Sequence, residues 1–421
     1  MNRFKRSIYQ MVHSHGWLAD IVYRVAYPVK DVQMRLRNWR AKRDNIQAEE
    51  LYEYRHFAAC SDLIVGVTNV CNARCVFCAY PRAMDSKDLK GGVMPFILFK
   101  KIVDEWKSLG GSRIDLTHTV GDPLIDPGLV EKINYAILQA GIKKVSFTTN
   151  GILLNKNDNY RRLIDAGVNE IYISTEGTNR EMYEKVYGVK HYDDMLSGVG
   201  NLLEYNRSKG EPTSITIRFR NAQKPSEIIG SKDFLRVIKP YFSDKVRCNF
   251  TVEFDNLGGL IKDQDLLGQM RLRHMHNNLD IPCCALFGFM VRYDGSVRLC
   301  GCRFKRTDMD DMVIGNIREQ SLLDISKKSE AWEIIKGFYS GKRPETCGGC
   351  SLYHPVNRKC LDNRKTVEKL HLGNQRLSEG NMLNKSVTTA VQPEQATLEQ
   401  LETKVKTSGP PTPTHDPEMV V

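Results

Sequence analysis

The residues best suited to do chemistry are Cys71, Cys75 and Cys78, in the run Cys71-Asn72-Ala73-Arg74-Cys75-Val76-Phe77-Cys78, where an aromatic ring precedes the last thiol. Three thiolates this close can bind three irons of a four-iron cube and leave the fourth iron open to a non-protein ligand. A structural zinc site takes four closed ligands, usually as two Cys-x-x-Cys pairs, and no fourth Cys or His lies within ten residues of this run. Core thiols, a third alternative, do not require such spacing. A second set follows far downstream: Cys283-Cys284, Cys300, Cys302, Cys347, Cys350 and Cys360. Residues 289–299 read as strand, Asp294-Gly295 turn and strand, a hairpin that brings Cys283 or Cys284 toward Cys300 or Cys302. Cys347-Gly348-Gly349-Cys350 can chelate one edge of a metal centre. Hairpin and Cys-x-x-Cys together make a closed four-thiolate site, which an iron–sulfur cluster or zinc would fit.

These loops need a frame. From Asp62 to Phe254 strand and helix patterns alternate. Strands are expected at Leu63–Val67, Arg113–Thr117, Lys144–Thr149, Glu170–Ser174, Ser214–Arg220 and Val246–Phe254. Helices are expected around Phe96–Trp106, Leu129–Ala140, Tyr160–Ala166, Asp193–Arg207 and Phe234–Phe242. Such alternation builds a parallel sheet with right-handed crossovers. The fold class is α/β, and six units make an open, partial (β/α)6 barrel whose ligands sit in the loops after the strands. The expected division is a basic amphipathic segment (1–58), the barrel (59–256), a polar linker (257–280), a small cysteine-bearing domain (281–365) and a disordered tail (377–421). The tail is polar, rich in Thr, Pro, Glu and Gln, and buries too little to offset the entropy of ordering.

A chain of 421 residues can hold more than one domain, and twelve cysteines in it without a secretory leader argue against a disulfide scaffold. A reducing cytoplasm is the expected location. The net charge of +11 invites a nucleic-acid reading, but the basic residues are scattered and no nucleic-acid-binding motif accompanies them. Much of the excess lies before residue 50, interleaved with Trp17, Ile21, Val25, Leu36 and Trp39. This segment reads as a helix pair, broken near Pro28, that packs on the catalytic domain with its arginines in solvent. A basic amphipathic segment with Trp and Tyr also suits peripheral contact with an anionic membrane surface.

The Cys-x-x-x-Cys-x-x-Cys run with its aromatic resembles the cluster loop of the radical S-adenosylmethionine (SAM) enzymes. The resemblance implies that Cys71, Cys75 and Cys78 hold a [4Fe-4S] cluster whose open iron is chelated by SAM. Electron transfer then yields a 5′-deoxyadenosyl radical, and Phe77 packs near the adenine. Thr119-Val120-Gly121-Asp122-Pro123 stands where that family carries Gly-Gly-Glu-Pro, with Val120 for the first Gly and Asp122 for Glu. Gly121, Asp122 and Pro123 would therefore lie at the SAM amino group, the shorter carboxylate leaving part of the contact to backbone carbonyls. Thr149-Asn150 and Ser174-Thr175-Glu176 resemble turns lining the SAM ribose and carboxylate. Arg218 and Arg220 project to one strand face, where an arginine fork can hold the methionine carboxylate of SAM; a solvated edge is the alternative. The second cysteine set resembles the SPASM or shortened "twitch" domain, which implies one auxiliary iron–sulfur cluster, expected as [4Fe-4S], on Cys283, Cys300, Cys347 and Cys350. Spacing alone leaves Cys284 and Cys302 as alternatives, and the role of Cys360 open.

A radical of this kind takes hydrogen from an unactivated C–H bond, and the protein's part is positioning and exclusion of water. Oxidation of an alcohol would need a base, for which His118 and Glu176 stand just beyond strand ends. Epimerisation would need a thiol to return hydrogen, and Cys248 on the sixth strand is the candidate. The resemblance implies a flavodoxin- or ferredoxin-type electron donor and a small-molecule or glycoconjugate substrate, such as a sugar or cyclitol. A peptide maturase is the alternative, although the residues before Cys71 are too few for a whole leader-recognition domain. A non-enzymatic zinc protein binding acidic partners is the second alternative.

Overall fold

The computed structural model describes residues 16–52, 63–85, 91–257, 259–274, 280–301, 310, 312–358 and 361. The expected disordered tail, Cys302 and Cys360 lie outside them. All six expected barrel strands form: β1 (Leu63–Val65), β2 (Arg113–Asp115), β3 (Lys144–Thr149), β4 (Glu170–Thr175), β5 (Ser214–Arg220) and β6 (Val246–Thr251). They pair in parallel and in chain order, so each connection crosses over outside the sheet. Val145, Phe147, Ile171, Ile173, Ile215 and Ile217 are buried on these strands, packed beneath helices such as Tyr192–Ser208. A two-residue period turns alternate residues, Arg218 and Arg220 among them, to the other face.

Two expected helices change pitch. Leu129–Asn134 is α-helical but widens into a π turn over Tyr135–Gln139. The element expected over Phe234–Phe242 is a π turn (Phe234–Ile238) followed by a 3₁₀ turn (Lys239–Tyr241). Pro240 cannot donate a backbone N–H, which accounts for the tightening there.

Beyond the barrel, β7 (Glu253–Phe254) pairs with β8 (Arg271–Leu272). The expected hairpin forms as β9 (Phe289–Val291) and β10 (Ser296–Arg298), and β11 (Val313–Asn316) pairs antiparallel with β10. The hairpin does not stand apart. β9 lies parallel to β1, giving a nine-stranded sheet in the order β11-β10-β9-β1-β2-β3-β4-β5-β6. Trp106, fully buried at the end of the helix Phe96–Ser108, meets Phe289 edge-on at 6.5 Å between ring centroids. From the same helix, Lys101 Nζ donates to the Ile317 carbonyl (2.6 Å) and Glu105 accepts the Leu322 N–H (2.6 Å).

The expectation of an N-terminal helix pair broken near Pro28 is corrected. Gly16–Asp44 is one helix of 29 residues with Pro28 inside it. Proline costs a single backbone hydrogen bond there, and the flanking turns continue.

Candidate active site

The cysteine loop leaves β1 at its C-terminal end and is held from two sides. On one, Thr68 Oγ1 donates to the Gly92 carbonyl (2.7 Å) and the Asp122 N–H donates to the Val70 carbonyl (2.8 Å). On the other, the N–H groups of Arg74 and Val76 donate to the carbonyls of Tyr187 and Val186, both at 2.9 Å. Those carbonyls end the helix Arg180–Tyr187, whose cap Gly188 has φ +66°. A Cβ at Gly188 would stand 2.8 Å from the Arg74 carbonyl oxygen, so the close approach needs glycine twice over. The sequence reading missed this helix. Its signal was Tyr183 and Tyr187 one turn apart, stacked at 5.0 Å and 4°.

Phe77 stacks on Phe254 (5.0 Å) and meets Tyr187 edge-on (5.8 Å), closing an aromatic row behind the loop. The three cysteines are half-buried, and Cys78 lines a cavity described below. Burial pushes Cys71 up to about 12, with the Asp122 carboxylate adding to it, and pushes Cys75 and Cys78 up as well. Cys75 is opposed by both other thiols, while Arg220 favours its thiolate. Three soft donors, mutually repelling and partly withdrawn from water, suit a cationic group that neutralises all three, and the donor set fits iron. Among the described residues no three His, Cys, Asp or Glu side chains converge as one ion would require. A cube instead takes its thiolates on separate irons.

The loop after β2 is braced by Asp122 rather than left open. Its buried carboxylate accepts from the N–H groups of Leu124 (3.0 Å) and Asn150 (2.7 Å), and from Thr149 Oγ1 (2.9 and 3.0 Å). Thr149 and Asp122 thus spend their side chains on each other. Gly121 carries φ +103°, and a Cβ there would lie 2.5 Å from the Thr68 carbonyl oxygen, so it lets this loop close on the cysteine strand. Pro123 starts the short turn that Asp122 caps. Asn150 Nδ2 donates to Asn72 Oδ1 (2.7 Å) and lies 3.8 Å from the Cys71 sulfur. Ser174 Oγ lies 3.0 Å from the Tyr187 hydroxyl and accepts from Arg220 Nε (3.4 Å).

At the mouth of the sheet is a cavity of about 470 Å³, bordered by Phe77, Cys78, Arg218, Arg220, Arg273 and Lys30. Leu352, two residues past Cys350, also lines it, so the cavity reaches from the first cysteine loop to the second cysteine segment. Arg218 lies over the Tyr172 ring at 3.6 Å. Burial pulls both strand arginines down, and each also feels another guanidinium: Arg220 acts on Arg218, and Arg273 on Arg220. Glu253 and Asp255 share the lining, but Glu253 pairs with Arg271 (3.0 Å) and Asp255 accepts from Ser351 (2.5 Å). The sequence reading missed Lys30 and Arg273, which reach the cavity from segments outside the barrel and carry no motif.

The expected acid–base and thiol residues lie elsewhere. His118 is buried against Gly66, and its Nδ1 accepts the Val120 N–H (3.2 Å). Burial, with Arg292 and Arg298 nearby, lowers its pKa to about 3, so the ring is neutral. Glu176 is wholly buried; Oε1 accepts the Ala222 N–H (3.3 Å), Oε2 has no protein partner, and burial raises its pKa to about 7. Neither is among the described residues lining the cavity. Cys248 takes the strand parity opposite to Asn249 and Thr251, which do line it, and is buried in the core.

In the second cysteine set, Cys283 is pushed up to about 12 by burial, with Cys300 and Cys350 adding to it, so these thiols share one locality. The His354 N–H points at the Cys283 sulfur (3.4 Å). Cys284 instead turns its thiol toward the Pro355 carbonyl (3.6 Å). Cys283, Cys300 and Cys350 thus lie near one another, and the Cys347 carbonyl accepts the Cys350 N–H (3.3 Å).

Two family models match the chain: the radical SAM superfamily over residues 65–224, and an iron–sulfur cluster-binding domain, SPASM, over residues 283–351. The chain belongs to the radical SAM superfamily. It is an enzyme of that class with a C-terminal SPASM domain, and its cofactors are a [4Fe-4S] cluster, SAM and an auxiliary iron–sulfur cluster. A probable GTP 3′,8-cyclase of Saccharolobus islandicus is 24% identical over 290 residues, covering 66% of this chain and 88% of that protein. A GTP 3′,8-cyclase of Vibrio atlanticus is 25% identical over 162 residues, covering 38% and 47%. Among solved structures, BtrN in complex with AdoMet and 2-DOIA aligns with TM-score 0.45 and 18% identity, covering 69% of this chain and 92% of that one.

Proposed function

We propose that the cavity between the two cysteine segments receives an anionic small molecule, a phosphorylated sugar, cyclitol or glycoconjugate, for oxidation or epimerisation at a C–H bond. Cys71, Cys75 and Cys78 would hold the SAM-binding cluster, and Cys283, Cys300, Cys347 and Cys350 the auxiliary one. When bound, the first cluster and SAM supply hydrogen-atom abstraction from an unactivated carbon. The chain's own contribution is positioning. Arg218 and Arg220 offer guanidinium forks from one strand face, and Lys30 and Arg273 add further cations to the lining. The aromatic row behind Phe77 keeps water from one wall. Electrons would come from a flavodoxin- or ferredoxin-type donor.

The observation that carries this reading is the concentration of cations at a cavity of about 470 Å³, within the range that holds a metabolite. A second reading, a nucleotide substrate, is favoured by the relatives whose name specifies GTP, itself a polyanion. Oxidation of an alcohol would still need a base to take the hydroxyl proton, and neither His118 nor Glu176 is among the described residues lining this cavity.

Anaerobically reconstituted protein should contain about eight irons per chain if both clusters are four-iron cubes. It should release 5′-deoxyadenosine on reduction with SAM, and Cys75→Ala should lose that release and about half the iron. Deuterated phosphorylated sugars and nucleotides should pass label to deoxyadenosine, and Arg273→Gln should raise KM at least tenfold. Protein that takes up zinc alone, or label passed equally well from uncharged sugars, would contradict the proposal.

A further inference from the structure

The N-terminal helix is attached to the barrel by a narrow side. Ala19 and Ala41 are buried, and Met34 and Asn38 are half-buried between them. Near its start, Asp20 Oδ1 accepts the Ser226 N–H (2.9 Å). At its end, Asp44 accepts the Arg358 N–H (2.8 Å), and just beyond, the Tyr339 hydroxyl donates to the Ile46 carbonyl (2.8 Å). Both ends are therefore pinned, which fixes the helix's rotation about its own axis.

That rotation leaves its apolar side facing out. Trp17, Ile21, Val25, Val32, Leu36 and Trp39 are all exposed, Trp17 by 64% and Trp39 by 56%. At ~100° per residue they fall within an arc of about 120°, a stripe extending over about 33 Å of helix. A contiguous apolar face of that length on a soluble surface marks an interaction site. The flanks are basic. Arg24, Arg35 and Lys42 follow one edge of the stripe, Arg40 lies past the other, and Arg43 stands within it. The acids are turned to other uses: Asp20 and Asp44 bind the body, and Asp31 pairs with Arg35 (3.1 Å). Arg43 also lies over the Trp39 ring at 4.9 Å.

We propose that this face is a docking surface for an anionic lipid bilayer, on which the helix lies in the plane of the interface. Charge complementarity selects the occupant. A protein groove takes apolar anchors on one side, whereas arginines on both margins of an apolar stripe, with a Trp at each end, match acyl chains below and phosphate headgroups to either side. No helix among the described residues is long and apolar enough to cross a membrane, so the contact is superficial. The inference does not rest on which substrate the cavity takes.

Flotation of the full chain with vesicles tests it. The protein should float with phosphatidylcholine vesicles containing phosphatidylglycerol at least tenfold more than with phosphatidylcholine alone, and high salt should release it. Val25→Glu with Leu36→Glu should abolish flotation while the circular dichroism and melting temperature stay unchanged. Tryptophan emission should shift to the blue on binding, and Trp17→Phe with Trp39→Phe should remove the shift. The proposal is overturned by absence of flotation at low salt, by flotation indifferent to the glutamates, or by a dimer that the glutamates split without any vesicle binding.

Discussion

Asp122 and Glu176 are buried carboxylates with different work. Asp122 satisfies the N–H groups of Leu124 and Asn150 and the Thr149 hydroxyl, joining the loops after β2 and β3. Asp122→Ala strands those donors and should cost about 2–4 kcal/mol in urea denaturation. Glu176 has a folded pKa near 7, above its ordinary 4.5, because burial disfavours its charge. The folded state therefore binds more protons between those values, and stability falls as pH rises through that window. Wild type should lose on the order of 3 kcal/mol from pH 4.5 to 7 through this group, and Glu176→Gln should lack that slope. Equal slopes would remove Glu176 as the cause. At this scale the sequence marked the right loops without revealing how their side chains are spent. Cys283 and Cys284 were inseparable by spacing, and the course of the chain past His354 and Pro355 gives the two thiols different neighbours.

Among the elements, the barrel strands were legible because most alternate buried β-branched or aromatic residues with more exposed ones between turn signals. The helix through Pro28 was not, since local sequence does not say whether neighbouring turns will continue past a proline. Nor was the direction of its apolar face, which is fixed by distant anchors at Ser226, Tyr339 and Arg358. The hairpin was legible from Asp294-Gly295, but its bracing was not. Asp310 stands between two buried guanidiniums, with Arg298 Nε at 2.6 Å and Arg292 also paired, while Arg298 reaches the Cys300 carbonyl. Asp310→Ala leaves both charges buried without their carboxylate and should cost about 3–5 kcal/mol. It should also deplete iron from the second cysteine set while sparing the first. Intact iron content in that variant would separate the bracing of Cys300 from cluster retention.

For the molecule as a whole, the family matches over residues 65–224 and 283–351 mark two functional regions, yet one sheet runs through both. No propensity in residues 289–291 indicates that they will lie beside β1, because that pairing joins segments far apart in sequence. Denaturation followed at Trp106 in the barrel and Trp332 in the C-terminal part should give coincident transitions. Cys347→Ser with Cys350→Ser should lower both together, whereas two separated transitions would mean that the halves unfold independently.

The placement of β9 has a further effect during synthesis. Leu63–Val65 is made early, but the strand that covers its outer edge emerges only with Phe289–Val291. Until then the nascent chain carries an open, apolar ribbon margin immediately before Cys71, Cys75 and Cys78, a setting that invites pairing with other chains. A ribosome stalled before residue 289 would therefore hold a product prone to clump, and shielding by a chaperone would matter most at that moment.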